Sequence, residues 1–279
     1  MKVCIIGAGT MGSGIAHAFA QAGNQYEVYC TDISKEVADK GIAKVAAGMA
    51  KRVAKGKMAQ EDMDAILGRI HTGVKEDFMA DCDLIIEACT ENPAIKREIF
   101  KAMDEAAKDG AILASNTSTL SITELNQVCK RPIIGMHFFN PAPVMKLVEV
   151  TAGLLTPEEM VEQVIAISKD LGKNPVKVNE APGFIVNRML IPLCNEAVGI
   201  LADGVATAED IDNAMKDGAG HPMGPLHLAD LIGLDVCLSI MEILHDEFGD
   251  DKYRPHPLLK KMVRGGKLGC KTGEGFFKY

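Results

Sequence analysis

The chain has 279 residues, of which 47% are hydrophobic and 24% are charged, a composition typical of globular proteins and unlike that of disordered chains. At roughly 150 residues per domain, this length predicts about two domains. The net charge of −8, from 30 basic and 38 acidic residues, disfavours a general nucleic-acid binder, which needs a dominant basic face. No apolar run reaches the roughly 18 residues of a membrane span, and we expect neither a membrane partner nor a signal peptide.

The eight cysteines are scattered along the chain, with no Cys-x-x-Cys pair and no cluster of histidines. This spacing predicts neither a zinc site nor a disulfide framework. We therefore expect no bound metal and cysteines that pack as small hydrophobic side chains. A chain of this kind is typical of the reducing cytoplasm.

The first half of the chain alternates apolar strands with helical stretches. In chain order, strands are predicted at residues 2–6, 26–31, 83–88, 111–115, 133–137, 146–151 and 175–178. A helix is predicted at 12–22, and a pair of helices is predicted between the second and third strands, across 35–67. The alternation indicates a mainly parallel, doubly wound sheet covered by helices on both faces, with a helical pair inserted into it.

The pattern changes at Pro182 and Gly183, which predict the boundary between two domains. Residues 1–182 form the predicted dinucleotide-binding α/β domain, and residues 183–279 form an all-helical one. In the second domain helices are predicted at 184–202, 207–217, 225–247 and 256–264, and no strand is expected.

A glycine-rich turn between the first strand and the first helix predicts a dinucleotide site. It consists of Gly7, Ala8, Gly9, Thr10, Met11 and Gly12, a Gly-x-Gly-x-x-Gly motif. The first glycine permits the tight turn, the second lets the backbone approach a pyrophosphate, and the third allows close packing of helix on strand. The N-terminus of the helix then offers N–H donors to the phosphates.

The acidic residue that completes this motif is Asp32, which ends the second predicted strand. A carboxylate there accepts hydrogen bonds from the ribose hydroxyls of the adenosine and repels a 2′-phosphate. Its neighbours Thr31 and Ile33 carry no positive charge that would attract one. The motif therefore predicts NAD, rather than NADP, as the cofactor.

A histidine and a glutamate are predicted to face each other across two adjacent strands. If the segments around His137 and Glu149 fold back about Pro143, the two residues lie equally far from the turn and are paired. A carboxylate beside an imidazole fixes its tautomer and favours the imidazolium, as a general base requires. A histidine that only caps a strand end gives the same pattern, so these residues alone leave both interpretations open.

Two longer motifs identify a family. His-Phe-Phe-Asn-Pro begins at His137 and Pro-Gly-Phe-Ile-Val-Asn-Arg begins at Pro182. With residues 3–14, 84–96, 114–122, 210–235 and 269–279, they resemble the short-chain L-3-hydroxyacyl-CoA dehydrogenases, most of all the bacterial members that act on 3-hydroxybutyryl-CoA. The resemblance implies a Rossmann-like domain and a helical domain that closes over substrate and forms a homodimer. It also implies reversible hydride transfer between NAD and a short-chain (S)-3-hydroxyacyl-CoA, in fatty acid or butyrate metabolism.

The resemblance assigns roles to individual residues. His137 matches the catalytic base and Glu149 the carboxylate that orients it, while Ser118 and Asn187 match the polar groups that hold the oxygens of the substrate. The residues that match contacts to the cofactor are Glu91, Lys96, Ser118, Asn140 and Lys271. Cys270 departs from the pattern, because a basic residue is common at that position, and its effect on cofactor affinity stays open.

Lys51 and Lys55 match the helix that grips coenzyme A. They stand four residues apart and share one helix face, which suits the phosphates of the coenzyme. By itself, a lysine pair on a helix is more often a solvated face. Two other functions also stay open, a dehydrogenase of free hydroxy acids such as gulonate and a non-catalytic dinucleotide-binding protein like certain lens crystallins.

Overall fold

The computed structural model describes all residues, 1–279, and divides into two compact units, Met1–Glu180 and Ala181–Tyr279. The division falls just before Pro182 and Gly183, the pair that marks the boundary in the sequence. No helix is long and apolar enough to cross a lipid bilayer.

The first unit is built on one eight-stranded sheet with the order β3-β2-β1-β4-β5-β6-β7-β8. The strands are β1 (Lys2–Ile6), β2 (Glu27–Asp32), β3 (Ile70–Val74), β4 (Leu84–Glu87), β5 (Ile112–Ser115), β6 (Ile133–Phe138), β7 (Leu147–Ala152) and β8 (Asn174–Asn179). All neighbours are parallel except β6 and β7, which are antiparallel. Strands β1 to β6 therefore end at a common edge, where ligands bind in doubly wound sheets, and β7 and β8 run in the opposite direction.

Six helices accompany this sheet. They are α1 (Thr10–Ala22), α2 (Lys35–Ala54), α3 (Gln60–Leu67), α4 (Pro93–Ala106), α5 (Ile122–Asn126) and α6 (Glu158–Asp170). One apolar cluster includes Phe19 of α1 and a second includes Phe100 of α4. The central strands β1, β4 and β5 contribute side chains to both clusters, as expected for strands that helices cover on both faces.

The sequence analysis missed one strand, β3, which pairs in parallel with β2 at the edge of the sheet. Its sequence is Ile-His-Thr-Gly-Val, and only Gly73 is fully buried. An edge strand has a neighbouring strand on one side only and is less buried than a central strand, so it needs no continuous apolar run. The hydrophobic signal that marks the central strands is therefore absent here.

The second unit is a helical bundle. Its helices are α7 (Val186–Ala202), α8 (Ala208–Ala219), α9 (Pro225–Ile232), α10 (Leu234–Phe248) and α11 (Pro257–Arg264). The predicted helix over 225–247 is in fact two helices, because Gly233 adopts a φ of +106° between them. The apolar pattern runs through this break, and so the break was not predicted.

Candidate active site

The glycine-rich turn has the geometry of a dinucleotide cradle. Gly7 has a φ of +102°, and its N–H donates to the carbonyl oxygen of Thr31 at 2.7 Å. A Cβ on Gly12 would lie 1.7 Å from the carbonyl oxygen of Gly7, so only glycine lets α1 start so close to the turn. No side chain caps α1 at Gly9, which leaves N–H groups of its first turn to an external anion.

Asp32 stands at the end of β2 beside this turn. Its carboxylate accepts the N–H of Ala8 at 2.7 Å and the N–H of Ile33 at 2.8 Å. The carboxylate is half-buried and lies where ribose hydroxyls are bound in dinucleotide folds. The turn, the uncapped helix and the carboxylate together fit NAD.

A hydrogen-bonded network joins the ends of β4 and β5. The carboxylate of Glu91 accepts the hydroxyl of Thr117 at 2.8 Å and the N–H of Ser118 at 3.0 Å, and Lys96 Nζ lies 3.7 Å from it. A cavity of about 230 Å³ lies beside this network and is also lined by Met11 of α1. The fold therefore brings Glu91, Lys96 and Ser118 to the edge of the sheet that carries the glycine turn.

Sequence reasoning missed the residue that anchors this network. Glu87 is fully buried at the end of β4, and its carboxylate contacts Lys96 Nζ at 2.5 Å, the hydroxyl of Ser115 at 3.0 Å and the N–H of Cys89 at 2.8 Å. A charged residue inside an apolar strand was the available signal. Burial of a carboxylate is stable only with such partners, so Glu87 and Lys96 support each other.

His137 and Glu149 are paired directly across β6 and β7, in the register that the sequence predicted. The Nδ1 atom of the imidazole lies 2.7 Å from Oε2 of the carboxylate, and the residues are only 7% and 1% exposed. The ring of Phe139 packs against the imidazole, with 4.4 Å between ring centroids. The backbone hydrogen bonds between β6 and β7 hold both residues in place, so the geometry of the pair does not depend on a flexible loop.

A second, larger cavity of about 370 Å³ lies between α1, α2 and the loop that joins β6 to β7. Asn140 is at its edge, and Lys44 and Arg52 are the charged residues in its lining, which includes no acidic side chain. His17 also lines it and carries an unpaired, buried Nε2 atom. Burial, with the charges of Arg52 and Lys173, lowers the pKa of His17 to about 4, so the ring is neutral at physiological pH.

The predicted lysine pair lies at the C-terminal end of α2, with Lys55 just after the last helical residue. Lys51 and Lys55 are exposed, and neither lines the cavity. Lys44, Gly48 and Arg52 do line it, and their four-residue spacing places them on one face of α2. The structure thus offers a second cationic pair that sequence reasoning did not single out.

Two predicted residues belong to the second unit. Asn187 is half-buried in the first turn of α7. Lys271 is exposed, and its ammonium forms an ion pair with Asp235 at 2.5 Å. No three His, Cys, Asp or Glu side chains are grouped so that they would hold a metal ion, and all eight cysteines are free.

The sequence profile described as 3-hydroxyacyl-CoA dehydrogenase, NAD binding domain, matches residues 2–181, and the profile of the C-terminal domain of the same family matches residues 183–279. The chain belongs to the 3-hydroxyacyl-CoA dehydrogenase family. The predictions of the family, of the α/β fold with a helical C-terminal part, and of NAD as the cofactor are therefore confirmed.

Relatives match over the full length of the chain. It is 52% identical to a 3-hydroxybutyryl-CoA dehydrogenase of Clostridioides difficile, with 100% of this chain and 99% of the relative covered. Among solved structures it resembles (S)-3-hydroxybutyryl-CoA dehydrogenase PaaH1 from Ralstonia eutropha, with a TM-score of 0.93, 47% identity and coverage of 100% and 98%. FadB2 of M. tuberculosis superposes with a TM-score of 0.96 at 38% identity, with coverage of 99% and 98%.

Proposed function

We propose that this family member transfers a hydride reversibly between NAD(H) and a short-chain 3-hydroxyacyl-CoA, with (S)-3-hydroxybutyryl-CoA and acetoacetyl-CoA as the substrate pair. The observation that carries the proposal is the buried pair of His137 and Glu149 in a unit that also holds the dinucleotide cradle. The relatives from Clostridioides difficile and Ralstonia eutropha, both named for this substrate, support it.

The chemistry assigned to the protein is the movement of one proton. Glu149 holds Nδ1 of His137 at 2.7 Å and so selects the tautomer in which Nε2 accepts a proton. His137 takes the proton of the substrate 3-hydroxyl in the oxidation and returns it to the ketone in the reduction. The carboxylate of Glu149 stabilises the imidazolium formed between these events. When bound, NAD accepts or supplies the hydride.

Two polar side chains are proposed to hold the oxygens of the substrate. The hydroxyl of Ser118 lies 3.3 Å from Glu91, and its N–H donates to the same carboxylate. This contact supports a fixed orientation of the serine at the end of β5. Asn187, in the first turn of α7, is assigned to the second oxygen. Donors placed at an oxygen that gains negative charge stabilise the transition state.

The larger cavity is the proposed site of the coenzyme A part. Its wall combines apolar surface with Lys44 and Arg52, which suits a pantetheine arm that carries phosphates at its end. Lys51 and Lys55, at the C-terminal end of the same helix, remain candidates for contacts to the more exposed phosphates.

Absorbance of NADH in the presence of acetoacetyl-CoA tests the proposed reaction. We expect NADH oxidation with acetoacetyl-CoA and slow turnover with NADPH. With NAD+ in place of NADH, we expect no reduction of the cofactor by free hydroxy acids such as gulonate. Turnover of a free hydroxy acid would contradict the coenzyme A assignment. The absence of all turnover would leave a protein that binds a dinucleotide without catalysis.

Two double variants distinguish the two cationic pairs of this helix region. Contacts to coenzyme A phosphates act equally in the ground state and the transition state, so their loss raises KM and leaves kcat nearly unchanged. We expect Lys44→Ala/Arg52→Ala to raise the KM for acetoacetyl-CoA about tenfold or more, an effect that weakens at high salt. Lys51→Ala/Lys55→Ala is the matched comparison, and a normal KM in that variant would make the pair a solvated helix face.

The C-terminal unit is the proposed surface of a homodimer. An apolar groove of about 410 Å³ lies along α7 and α8, and Val205 in its wall is 72% exposed. Large exposed apolar side chains of this kind are typical of subunit interfaces. We expect the wild type to sediment as a dimer and Val205→Asp to shift it toward monomer. A monomeric wild type would contradict this.

The compartment and pathway follow from the same proposal. Eight free cysteines, five of them buried, support a reducing location such as the cytoplasm. A reversible enzyme for a four-carbon thioester fits fatty acid or butyrate metabolism. Fluorescence of a tagged protein in cells tests the location, and acyl-CoA profiles of a strain without the protein test the pathway.

A further inference from the structure

A buried lysine lies behind the loop that forms one wall of the larger cavity. Lys173 stands between α6 and β8 and is only 5% exposed. Its ammonium donates to the carbonyl oxygen of Ala142 at 2.5 Å and to that of Met145 at 2.9 Å. No carboxylate lies within ion-pair distance, so main-chain carbonyls are its only hydrogen-bond partners.

Such an arrangement is unusual for an ammonium group. Burial, together with the nearby charge of Lys146, lowers the pKa of Lys173. A buried ammonium without an acidic partner is stable only if its N–H groups are hydrogen-bonded. Here the ammonium donates to two carbonyl oxygens of a tight turn. Within this turn the N–H groups of Val144 and Met145 both donate to the carbonyl oxygen of Pro141.

The turn connects this lysine to the cavity. Residues 140–144 line the cavity, and Ala142 is buried against α1, where a Cβ on Gly14 would lie 3.5 Å from its side chain. His137 and Glu149, by contrast, are held by the ladder of β6 and β7. A shift of the turn therefore changes the cavity wall and leaves the catalytic pair in place.

We propose that Lys173 is a positioning residue for substrate binding. Its ammonium holds the turn at residues 141–145 in the conformation that admits the coenzyme A part of the substrate. We assign it no contact with the reacting carbon of the substrate or with the proposed catalytic base, His137. The inference rests on the proposed function of the cavity, and it predicts a change in KM rather than in kcat.

The test replaces Lys173 by methionine, which fills a similar volume and donates no hydrogen bond. For Lys173→Met we expect the KM for acetoacetyl-CoA to rise about tenfold and kcat to change less than about threefold. The truncated thioester acetoacetyl-N-acetylcysteamine lacks the nucleotide and most of the pantetheine, and its kcat/KM should be the same in both proteins. The matched control is Lys146→Met, which removes an exposed lysine that donates to Gly172 at 3.3 Å, and it should behave as wild type.

A rescue experiment separates positioning from general damage. Lys173→Ala leaves space for a small alkylammonium ion, and n-propylammonium should restore the KM for acetoacetyl-CoA in this variant and have no effect on wild type. If Lys173→Met does not fold, Lys173→Gln retains a neutral donor and should show an intermediate KM.

The outcomes are distinguishable. A wild type that does not turn over acetoacetyl-CoA overturns the proposed function. An active wild type with an unchanged KM in Lys173→Met overturns the positioning role. So does an equal loss of kcat on the full and the truncated thioester, because the lysine would then support the whole unit rather than the cavity wall.

Discussion

The protein contains two histidine–carboxylate pairs of nearly the same length with different surroundings. In the first unit Nδ1 of His137 lies 2.7 Å from Glu149, and in the second Nδ1 of His227 lies 2.6 Å from Asp212. The side chain of His137 is 8% exposed, whereas that of His227 is 43% exposed. A short contact between a histidine and a carboxylate is therefore not enough to identify a catalytic base.

The carboxylate of Asp212 has a second role besides its contact with the histidine. Asp212 also accepts the N–H groups of Leu226 and His227 at 2.8 and 2.9 Å, so it holds the first turn of α9. The ring of His227 stacks on Phe277 of the C-terminal tail, with 3.6 Å between centroids. This second pair ties a helix and the tail together, which is a structural task. The first pair lies on two strands that are already joined by their own hydrogen-bond ladder.

The largest effect expected from this contrast is on turnover. His137→Gln removes the proposed base, and kcat for acetoacetyl-CoA reduction should fall by about 10² to 10⁴, the usual contribution of a positioned acid–base group. His227→Gln is the matched variant and should retain kcat within about twofold. Steady-state kinetics with NADH measure both. A His137 variant with more than about a tenth of wild-type kcat would remove this residue from the mechanism.

Glu149→Gln should lower kcat by about 10², because a neutral amide no longer stabilises the imidazolium and favours the wrong tautomer. The affinity for NADH, measured by fluorescence titration, should stay unchanged. A rise in KM without a fall in kcat would show that the carboxylate orients substrate rather than the base.

Asp212→Asn should act on stability rather than on chemistry. Asp212 is 1% exposed, and the substitution replaces a carboxyl group with three hydrogen-bond contacts by an amide, whose NH2 group cannot accept them. We expect the free energy of unfolding to fall by about 2 kcal/mol in urea titrations, with kcat of the folded fraction nearly unchanged. A stable variant that had lost kcat would reverse the contrast between the pairs.

The smallest effect is expected at His17, a buried histidine whose charged neighbours are cations. Because its pKa falls from 6.5 to about 4 on folding, the unfolded chain binds the proton more readily. Above pH 6.5 the ring is neutral in both states, and the free energy of unfolding is at its full value. As the pH falls toward 4, the unfolded chain takes up the proton first and the free energy of unfolding decreases. Relative to His17→Gln, wild type should lose about 1 kcal/mol of unfolding free energy across that range, after allowance for solvent screening. A constant difference between pH 7 and 4 would contradict it.

Much of the first unit was predictable because its signals are local. A Gly-x-Gly-x-x-Gly turn with an acidic residue 20 positions later needs only a strand, a helix and a second strand in order. The pairing of His137 with Glu149 followed from a short antiparallel connection, in which the turn determines the register. Edge strand β3 was missed because it carries no clear hydrophobic pattern. The break at Gly233 was missed because the hydrophobic pattern continues through it.

Taken by itself, the sequence determined the family, the α/β class and the cofactor, and it predicted the pairing of His137 with Glu149. Each of these depends on residues close in the chain or on long motifs. Only the tertiary structure decided which charges share a space. It placed Lys44 and Arg52, rather than Lys51 and Lys55, in the cavity, and it brought Lys173 behind a turn about 30 residues away in the chain. It also showed that Glu87 holds Lys96 and that Asp212 holds α9. These contacts join separate elements, and only packing decides which side chains lose water together and must therefore pair.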